Sequence, residues 1–338
     1  MLFILLQEEE KAIFNFEKSI EKIKWFTGPS LNNGILKIAC IANIINANYG
    51  THVKLSGKFN ESLNRILKNS KFPNRLQLID SLDGFVPVAR YLLSIGKIDF
   101  DLTKFNEQLI YTLERPSLLK KRGRDIKEPE SYIDLGVPHG LAGTLFYLSD
   151  LSRANLLNTR SMKVIDEIFN LYNRNFKIIK EKKYINSIVT SDQRFIRLED
   201  ILLKKNYFSW CYGTLGIYNS LMYANGSFNN EILKSLISEI KQQIKNEKKI
   251  ISREIDDYGF CHGYSGTLYM LNKSDSNYSF DKVYSNLVKY IGAFHVHDNN
   301  LHELLSSLQG FMSSCIISSL LLLDDFESIK QFELMYLL

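Results

Sequence analysis

Two cysteines stand at matching positions in front of glycine-rich turns. Cys211 lies two residues before Gly213 in "SWCYGTLG", and Cys261 lies two residues before Gly263 in "FCHGYSGTLYML", where His262 follows it. Two thiolates and one imidazole are good ligands for Zn²⁺, and three protein ligands leave the fourth tetrahedral position open, as at catalytic zinc sites. If the two turns meet in space, the spacing predicts a zinc site formed by Cys211, Cys261 and His262.

Turns of this kind, each followed by an apolar run, recur six times along the chain. Neighbouring copies are 47 to 73 residues apart, which is the length of two helices with their loops. The first glycines of the six copies are Gly34, Gly84, Gly140, Gly213, Gly263 and Gly310. A second glycine, three residues later, occurs only in the third, fourth and fifth copies, as Gly143, Gly216 and Gly266.

The segments between the turns have the periodicity of amphipathic helices, whereas the segments directly after them are apolar on all sides. Apolar residues fall on one face in two clear cases: Ile165, Ile168, Phe169, Tyr172 and Phe176, and Leu233, Leu236, Ile237, Ile240 and Ile244. A buried ring of helices inside an amphipathic ring is an α/α toroid, in which glycines allow close backbone approach at the crowded centre. An open solenoid such as a tetratricopeptide array is the alternative, but its repeats are nearer 34 residues.

The sequence thus predicts an all-α fold, an α/α toroid or barrel of six or seven helical hairpins with a zinc site at its mouth. We expect one domain over residues 1–338, with an N-terminal helix region at 1–28. The segment 180–208 mixes β-branched and charged residues and is predicted to be a loop or hairpin insertion, which would account for the longest spacing.

The remaining candidate metal ligands fit the repeat less well. Cys40 and Cys315 lie inside apolar runs and are predicted to belong to the core. His295 and His297, with Asp298, are a rival metal-binding group, but they lie outside the repeat register, and a surface loop is the preferred interpretation.

Composition restricts the class of protein. With 45% hydrophobic residues the chain can bury a large core, and a net charge of +5 without a basic stripe argues against nucleic acid as a partner. The N-terminus has no secretory signal pattern, and no apolar run is long enough to span a bilayer. Four cysteines do not form the dense framework of a secreted disulfide protein. We expect a soluble, cytoplasmic protein.

The sequence resembles the lanthionine synthetase C-like family. The resemblance rests on "WCYG", on "CHG" about fifty residues later, on the preceding "HGLAG" and on an aspartate four residues before the second-turn glycine, and it extends from about residue 30 to 325. It implies a stand-alone lanthipeptide (lantibiotic) cyclase that binds one Zn²⁺ through Cys211, Cys261 and His262. The implied reaction adds a peptide cysteine thiol to a dehydroalanine or dehydrobutyrine of the same precursor.

The same resemblance implies catalytic roles for His139 and Asp80, and Trp210 and Tyr212 match the aromatic pair that lines the family's site. Asp83 is a rival to Asp80, because it occupies the position that His139 holds in the next copy. The family often has an arginine where this chain has Tyr207, so the positive charge of that arginine is missing at this position.

Partners and alternatives follow from this resemblance. The implied partners are a dehydrated precursor peptide, a lanthipeptide dehydratase and an exporter, in a complex at the inner face of the cell membrane. Two other functions remain open: addition of glutathione to dehydrated peptides, and a non-catalytic scaffold subunit of a peptide-modification complex. A glycosidase toroid would need paired acidic residues at the mouth, where only Asp80 and Asp83 are available.

Overall fold

The structure is a computed structural model of the chain. It describes residues 9–21, 30–31, 34–69, 78–96, 102–115, 120–121, 132–179, 182–185, 188–190, 209–246, 261, 263, 266–267 and 269–271. Tyr207, His262, His295, His297, Asp298, Gly310 and Cys315 lie outside these ranges.

A buried helix follows each glycine turn in the described part of the chain. Three of these helices have the turn glycine itself as their N-cap, in extended backbone conformation and without a side-chain cap, and the fourth begins two residues after its glycine. They are α2 (Ile35–Tyr49), α4 (Val86–Ser94), α6 (Leu141–Arg153) and α8 (Thr214–Asn225). Residues 266–267 and 269–271, after the fifth glycine, are also helical.

Amphipathic helices alternate with the buried ones. They are α1 (Glu9–Glu21), α3 (Val53–Asn69), α5 (Thr103–Leu113), α7 (Thr159–Asn175) and α9 (Glu231–Asn246). Two of them begin with an asparagine side chain that caps the first turn: Asn158 Oδ1 accepts the Ser161 N–H at 2.9 Å, and Asn230 Oδ1 accepts the Leu233 N–H at 3.0 Å. The alternation of a glycine-started helix with an amphipathic one is the predicted repeat.

Burial confirms the predicted helix faces with one exception. Ile165, Ile168, Phe169 and Tyr172 of α7 are all buried, as are the five apolar residues predicted for α9. Phe176 instead begins a strand, because α7 ends at Asn175. Cys40 is fully buried, as predicted. No helix formed by the described residues combines the length and apolarity that a membrane crossing needs.

Short strands follow α5 and α7. β3 (Phe176–Ile179) and β4 (Lys182–Ile185) form an antiparallel hairpin in which Phe176 faces Ile185. β2 (Tyr132–Asp134) pairs antiparallel with β5 (Ile188–Thr190), and β1 (Lys120–Lys121) is the third strand of that sheet. The β3–β4 hairpin contacts α8 and α9.

The chain divides into two compact units. Unit 1 comprises residues 1–120, 138–164 and 326–338, and unit 2 comprises residues 121–137 and 165–325. In unit 1, α4 packs against α3 and α6. A partly buried ion pair connects α4 to α6, since Arg90 Nε lies 2.7 Å from Asp150 Oδ2, and the Arg90 guanidinium lies over the Phe146 ring. In unit 2, α8 packs against α9.

Successive glycine turns of unit 1 are joined by main-chain hydrogen bonds. The Leu31 N–H donates to the Leu82 carbonyl and the Ser81 N–H donates to the Pro138 carbonyl, both at 2.7 Å. In each case the donor lies three residues before its glycine and the acceptor two residues before the next one. This common register fixes each turn against its neighbour.

Unit 2 continues the pattern with a change of register. The Val137 N–H donates to the Cys211 carbonyl at 2.9 Å, in the register found in unit 1. The next bond runs from the Cys211 N–H to the Cys261 carbonyl at 3.3 Å, so that its donor lies two residues before its glycine instead of three. Cys211 and Cys261, which occupy the same position in neighbouring copies, are therefore joined directly by a main-chain hydrogen bond.

Gly216 is predicted to tolerate no side chain. A Cβ at this position would lie 2.0 Å from the Trp210 carbonyl oxygen, whereas a Cβ at Gly57 of α3 would meet nothing within 4 Å. We expect Gly216→Ala to destabilise the protein by about 1–3 kcal/mol through overpacking. Gly57→Ala should stabilise it by about 0.5–1 kcal/mol, because alanine is the better helix former. Urea unfolding of both variants tests this prediction, and equal stabilities would contradict it.

Candidate active site

The structure brings together the sulfur atoms of Cys211 and Cys261, as their repeat positions predict. It joins them as a disulfide with their Cα atoms 5.5 Å apart. Cys211 is only 2% exposed. The sequence predicts two zinc-binding thiolates at this point, so the disulfide is a difference from that expectation.

The arrangement of the two cysteines also fits a metal site. Zn–S bonds are about 2.3 Å long, so two thiolates on one tetrahedral ion lie roughly 3.8 Å apart, a separation that small side-chain rotations of Cys211 and Cys261 can supply. The disulfide and metal binding exclude each other, because metal ligation requires thiolates. The third predicted ligand, His262, is adjacent to Cys261 in the chain but lies outside the described residues.

The turn that carries Cys211 is held by short-range contacts. The Gly213 N–H donates to the Ser209 carbonyl at 3.1 Å, and the Tyr212 N–H donates to Ser209 Oγ at 3.3 Å. Ser209 is 1% exposed and Trp210 is 5% exposed. Tyr212 is half-buried. The aromatic pair predicted to line the site therefore flanks Cys211 on both sides, with Trp210 buried and Tyr212 partly accessible.

His139 and Asp80 form a hydrogen-bonded pair in unit 1. His139 Nδ1 lies 2.8 Å from Asp80 Oδ2, and the two side chains are 31% and 20% exposed. The other carboxylate oxygen, Oδ1, accepts the main-chain N–H groups of Leu82 at 2.9 Å and Asp83 at 2.8 Å. A carboxylate on Nδ1 fixes the orientation of the imidazole ring.

The environment of Asp80 favours its ionised form. Burial acts to raise the pKa of the carboxyl group. The hydrogen bond and charge of His139, together with the N–H groups of Asp83 and Leu82, outweigh burial and lower the pKa below its ordinary value. Asp80 is therefore a carboxylate suited to stabilise a protonated His139.

Asp83, the rival to Asp80, has a different partner. It is exposed and accepts a short hydrogen bond from the Ser30 hydroxyl. Asp83, Asp80 and His139 each offer a ligand atom within 4.8 Å of the others. In this cluster the His139 ring contacts Asp80 rather than Asp83.

Ser30 and Ser209 are site residues that the sequence reasoning did not single out. Both lie four residues before the first glycine of their copy, the offset at which Asp80 stands in the second copy. Asp80 and Ser209 each accept a main-chain N–H of their own turn. The repeat offset was therefore a signal in the sequence that could have found them.

The two groups provide complementary chemistry. Cys211 and Cys261 in unit 2 offer a sulfur pair that can bind a soft metal ion when reduced. His139 with Asp80 in unit 1 offers an imidazole–carboxylate pair, a combination that can donate and accept protons. Helix pairs behind glycine turns define a mainly helical repeat protein, and these turns carry both groups.

Comparison with known proteins gives the family. The family described as "Lanthionine synthetase C-like protein" matches residues 7–316. The chain therefore belongs to the lanthionine synthetase C-like family, which confirms the resemblance found in the sequence.

Two relatives agree with this assignment. The nisin biosynthesis protein NisC of Lactococcus lactis subsp. lactis is 23% identical over 205 residues, which cover 56% of this chain and 47% of that protein. The alignment thus spans about half the length of this curated relative. A solved structure of nisin cyclase superposes with a TM-score of 0.71 at 19% identity, covering 97% of this chain and 86% of the other. The fold is that of nisin cyclase, and the predicted all-helical fold class is confirmed.

Acid titration tests the Asp80–His139 pair. Because the pKa of Asp80 is lowered in the folded state, its contribution to stability is present above the ordinary carboxyl pKa of about 3.9 and is lost as the pH falls through the lower folded value. We expect Asp80→Asn to be less stable than the parent protein at pH 7 and the difference to shrink below about pH 4. Unfolding free energies from pH 7 to 3 measure this. A difference that stays constant over that range would contradict it.

Proposed function

We propose that this chain is a zinc-dependent cyclase that forms lanthionine or methyllanthionine rings in a dehydrated precursor peptide. The observation that carries the proposal is the meeting of the Cys211 and Cys261 sulfur atoms at equivalent positions of neighbouring turns. Membership of the lanthionine synthetase C-like family and the likeness to nisin cyclase support it. Cys211, Cys261 and His262 would hold the ion.

The bound Zn²⁺ would supply a Lewis acid that keeps a substrate thiol deprotonated near neutral pH. Three protein ligands suit this role because they leave one position for the substrate sulfur. The chain's own part is to bind the ion through two thiolates and one imidazole and to exclude bulk water. The buried Trp210 and Cys211 are consistent with such a dry environment.

His139 would manage the protons of the reaction. Addition of the thiolate to the double bond forms a carbon–sulfur bond and leaves an enolate, which must gain a proton at its α-carbon. His139 would deliver this proton, and the thiol proton released earlier balances it. The Asp80 carboxylate would stabilise the imidazolium form, as its 2.8 Å contact with Nδ1 allows.

The substrate and setting belong to the same proposal. The peptide would be dehydrated before it arrives, because this reaction consumes dehydroalanine or dehydrobutyrine and makes neither. A complex with a lanthipeptide dehydratase and an exporter, at the cytoplasmic face of the membrane, remains a prediction.

Metal content tests the proposed ligands. The reduced parent protein should bind one Zn²⁺, and Cys211→Ala or Cys261→Ala should each lower zinc affinity by a large factor, because two protein ligands hold the ion poorly. Cys40→Ala is the matched control, since that cysteine is buried in the core of unit 1 and should leave zinc content unchanged. The measurement is zinc per protein after reduction, zinc loading and gel filtration. A reduced parent protein without zinc would reject the proposal and favour a scaffold subunit.

Ring formation tests the role of His139. A synthetic peptide with one cysteine and one dehydroalanine keeps its mass on cyclisation but loses the thiol that N-ethylmaleimide alkylates. His139→Ala should keep its zinc and lose about 10²–10⁴-fold in cyclisation rate, the usual contribution of a general acid. Cyclisation by this variant at the parent rate would remove the assignment. Including glutathione separates the alternative enzyme, since an adduct adds the mass of glutathione and a ring does not.

A further inference from the structure

The segment between β2 and α6 contacts the turn that carries Cys211. The Val137 N–H donates to the Cys211 carbonyl at 2.9 Å. A Cβ built on Gly136 would lie 2.6 Å from the same carbonyl oxygen and 3.0 Å from the Tyr212 ring. The two main chains therefore approach so closely that only glycine fits at position 136. The position of the Cys211 carbonyl depends on the positions of Gly136 and Val137.

A buried carboxylate fixes this segment. Asp134, the last residue of β2, is 5% exposed, and its Oδ1 accepts the Gly136 N–H at 2.8 Å. That carboxylate oxygen also lies 3.1 Å from the place where a Gly136 Cβ would be. The side chain thus turns the chain back on itself directly after the strand and sets the conformation of Gly136.

Tyr172 of α7 also supports this segment. Its hydroxyl donates to the Leu135 carbonyl at 2.8 Å, and the residue is fully buried. Burial, and then the negative charge of Asp134, hold the pKa of Tyr172 well above its ordinary value, so the hydroxyl keeps its proton and remains a donor. Side-chain hydrogen bonds therefore hold the main chain at both Leu135 and Gly136, directly before the residue that bonds to Cys211.

We propose that Asp134 is a positioning residue for Cys211. By holding Gly136, it presents the Val137 N–H to the Cys211 carbonyl, while the Cys211 N–H is bonded to Cys261. With both of its peptide groups fixed by neighbouring turns, Cys211 directs its sulfur to Cys261. The inference deepens the proposed function, because correct placement of the two sulfur atoms is a condition of metal binding there.

Zinc affinity and the Co²⁺ spectrum provide the first test. In the reduced full-length protein, Asp134→Ala should weaken Zn²⁺ binding about 10–100-fold, the usual effect of losing a residue that orients a metal ligand. It should also change the sulfur-to-Co²⁺ charge-transfer bands of the Co²⁺-loaded protein. Asp134→Asn keeps an oxygen that can accept the Gly136 N–H and should restore affinity to within about threefold. Asp166→Ala, which removes a surface hydrogen bond to Asn230, is the control.

A second readout does not depend on metal. Oxidised glutathione converts the two thiols to the Cys211–Cys261 disulfide and is itself reduced to two molecules of glutathione. The equilibrium constant of this reaction measures how well the two sulfurs are placed. Asp134→Ala should lower it about tenfold, whereas Asp134→Asn should leave it unchanged. If the parent protein binds no zinc, the proposed function fails, but this equilibrium still tests the role of Asp134. Gly136→Ala is the second variant, for use if Asp134→Ala does not fold, because its Cβ would meet the Cys211 carbonyl. It must likewise weaken zinc binding and lower the equilibrium constant for disulfide formation. Unchanged zinc affinity and disulfide equilibrium in the folded variants overturn the inference.

Discussion

The hydrogen bonds between successive glycine turns are the constraint on which the site depends. Each is a single main-chain contact from a residue just before one glycine to a residue just before the next. A side chain at Gly136 would separate two of these turns, since its Cβ would meet the Cys211 carbonyl oxygen. Candidate site residues at these turns, such as Cys211, are therefore positioned by the main chain of the neighbouring copy as well as by their own helix.

The change of register at Cys211 gives this arrangement its chemical consequence. In the bonds donated by Leu31, Ser81 and Val137, residues at unlike positions of neighbouring copies face each other. The main-chain hydrogen bond from Cys211 to Cys261 instead joins residues at the same position of their copies, and their two sulfur atoms meet. A shift of one residue in an otherwise regular repeat is thus enough to turn a structural contact into a candidate metal site.

Much of this could be predicted from the sequence because it depends on local pattern. The glycine turns, the alternation of buried and amphipathic helices and the Cys211–Cys261 contact were accessible from repeat spacing. The family motifs indicated His139 and Asp80 as candidate site residues, but not their contact with each other. The end of α7 before Phe176 was missed, because the residue continues the apolar face of the helix while its β-branched neighbours favour a strand. The role of Asp134 could not be seen, since it depends on a carboxylate folding back onto Gly136 and on contact with a turn some seventy-five residues later.

The ion pair between Arg90 and Asp150 has a consequence for how this chain can evolve. The Arg90 side chain is 8% exposed, so replacement of Asp150 alone would leave a buried guanidinium without this carboxylate and would lower the stability of the protein. Replacing both partners together by apolar residues of similar volume is often neutral. Descendants of this chain should therefore keep both residues or exchange both, and lineages that have lost only one should be rare.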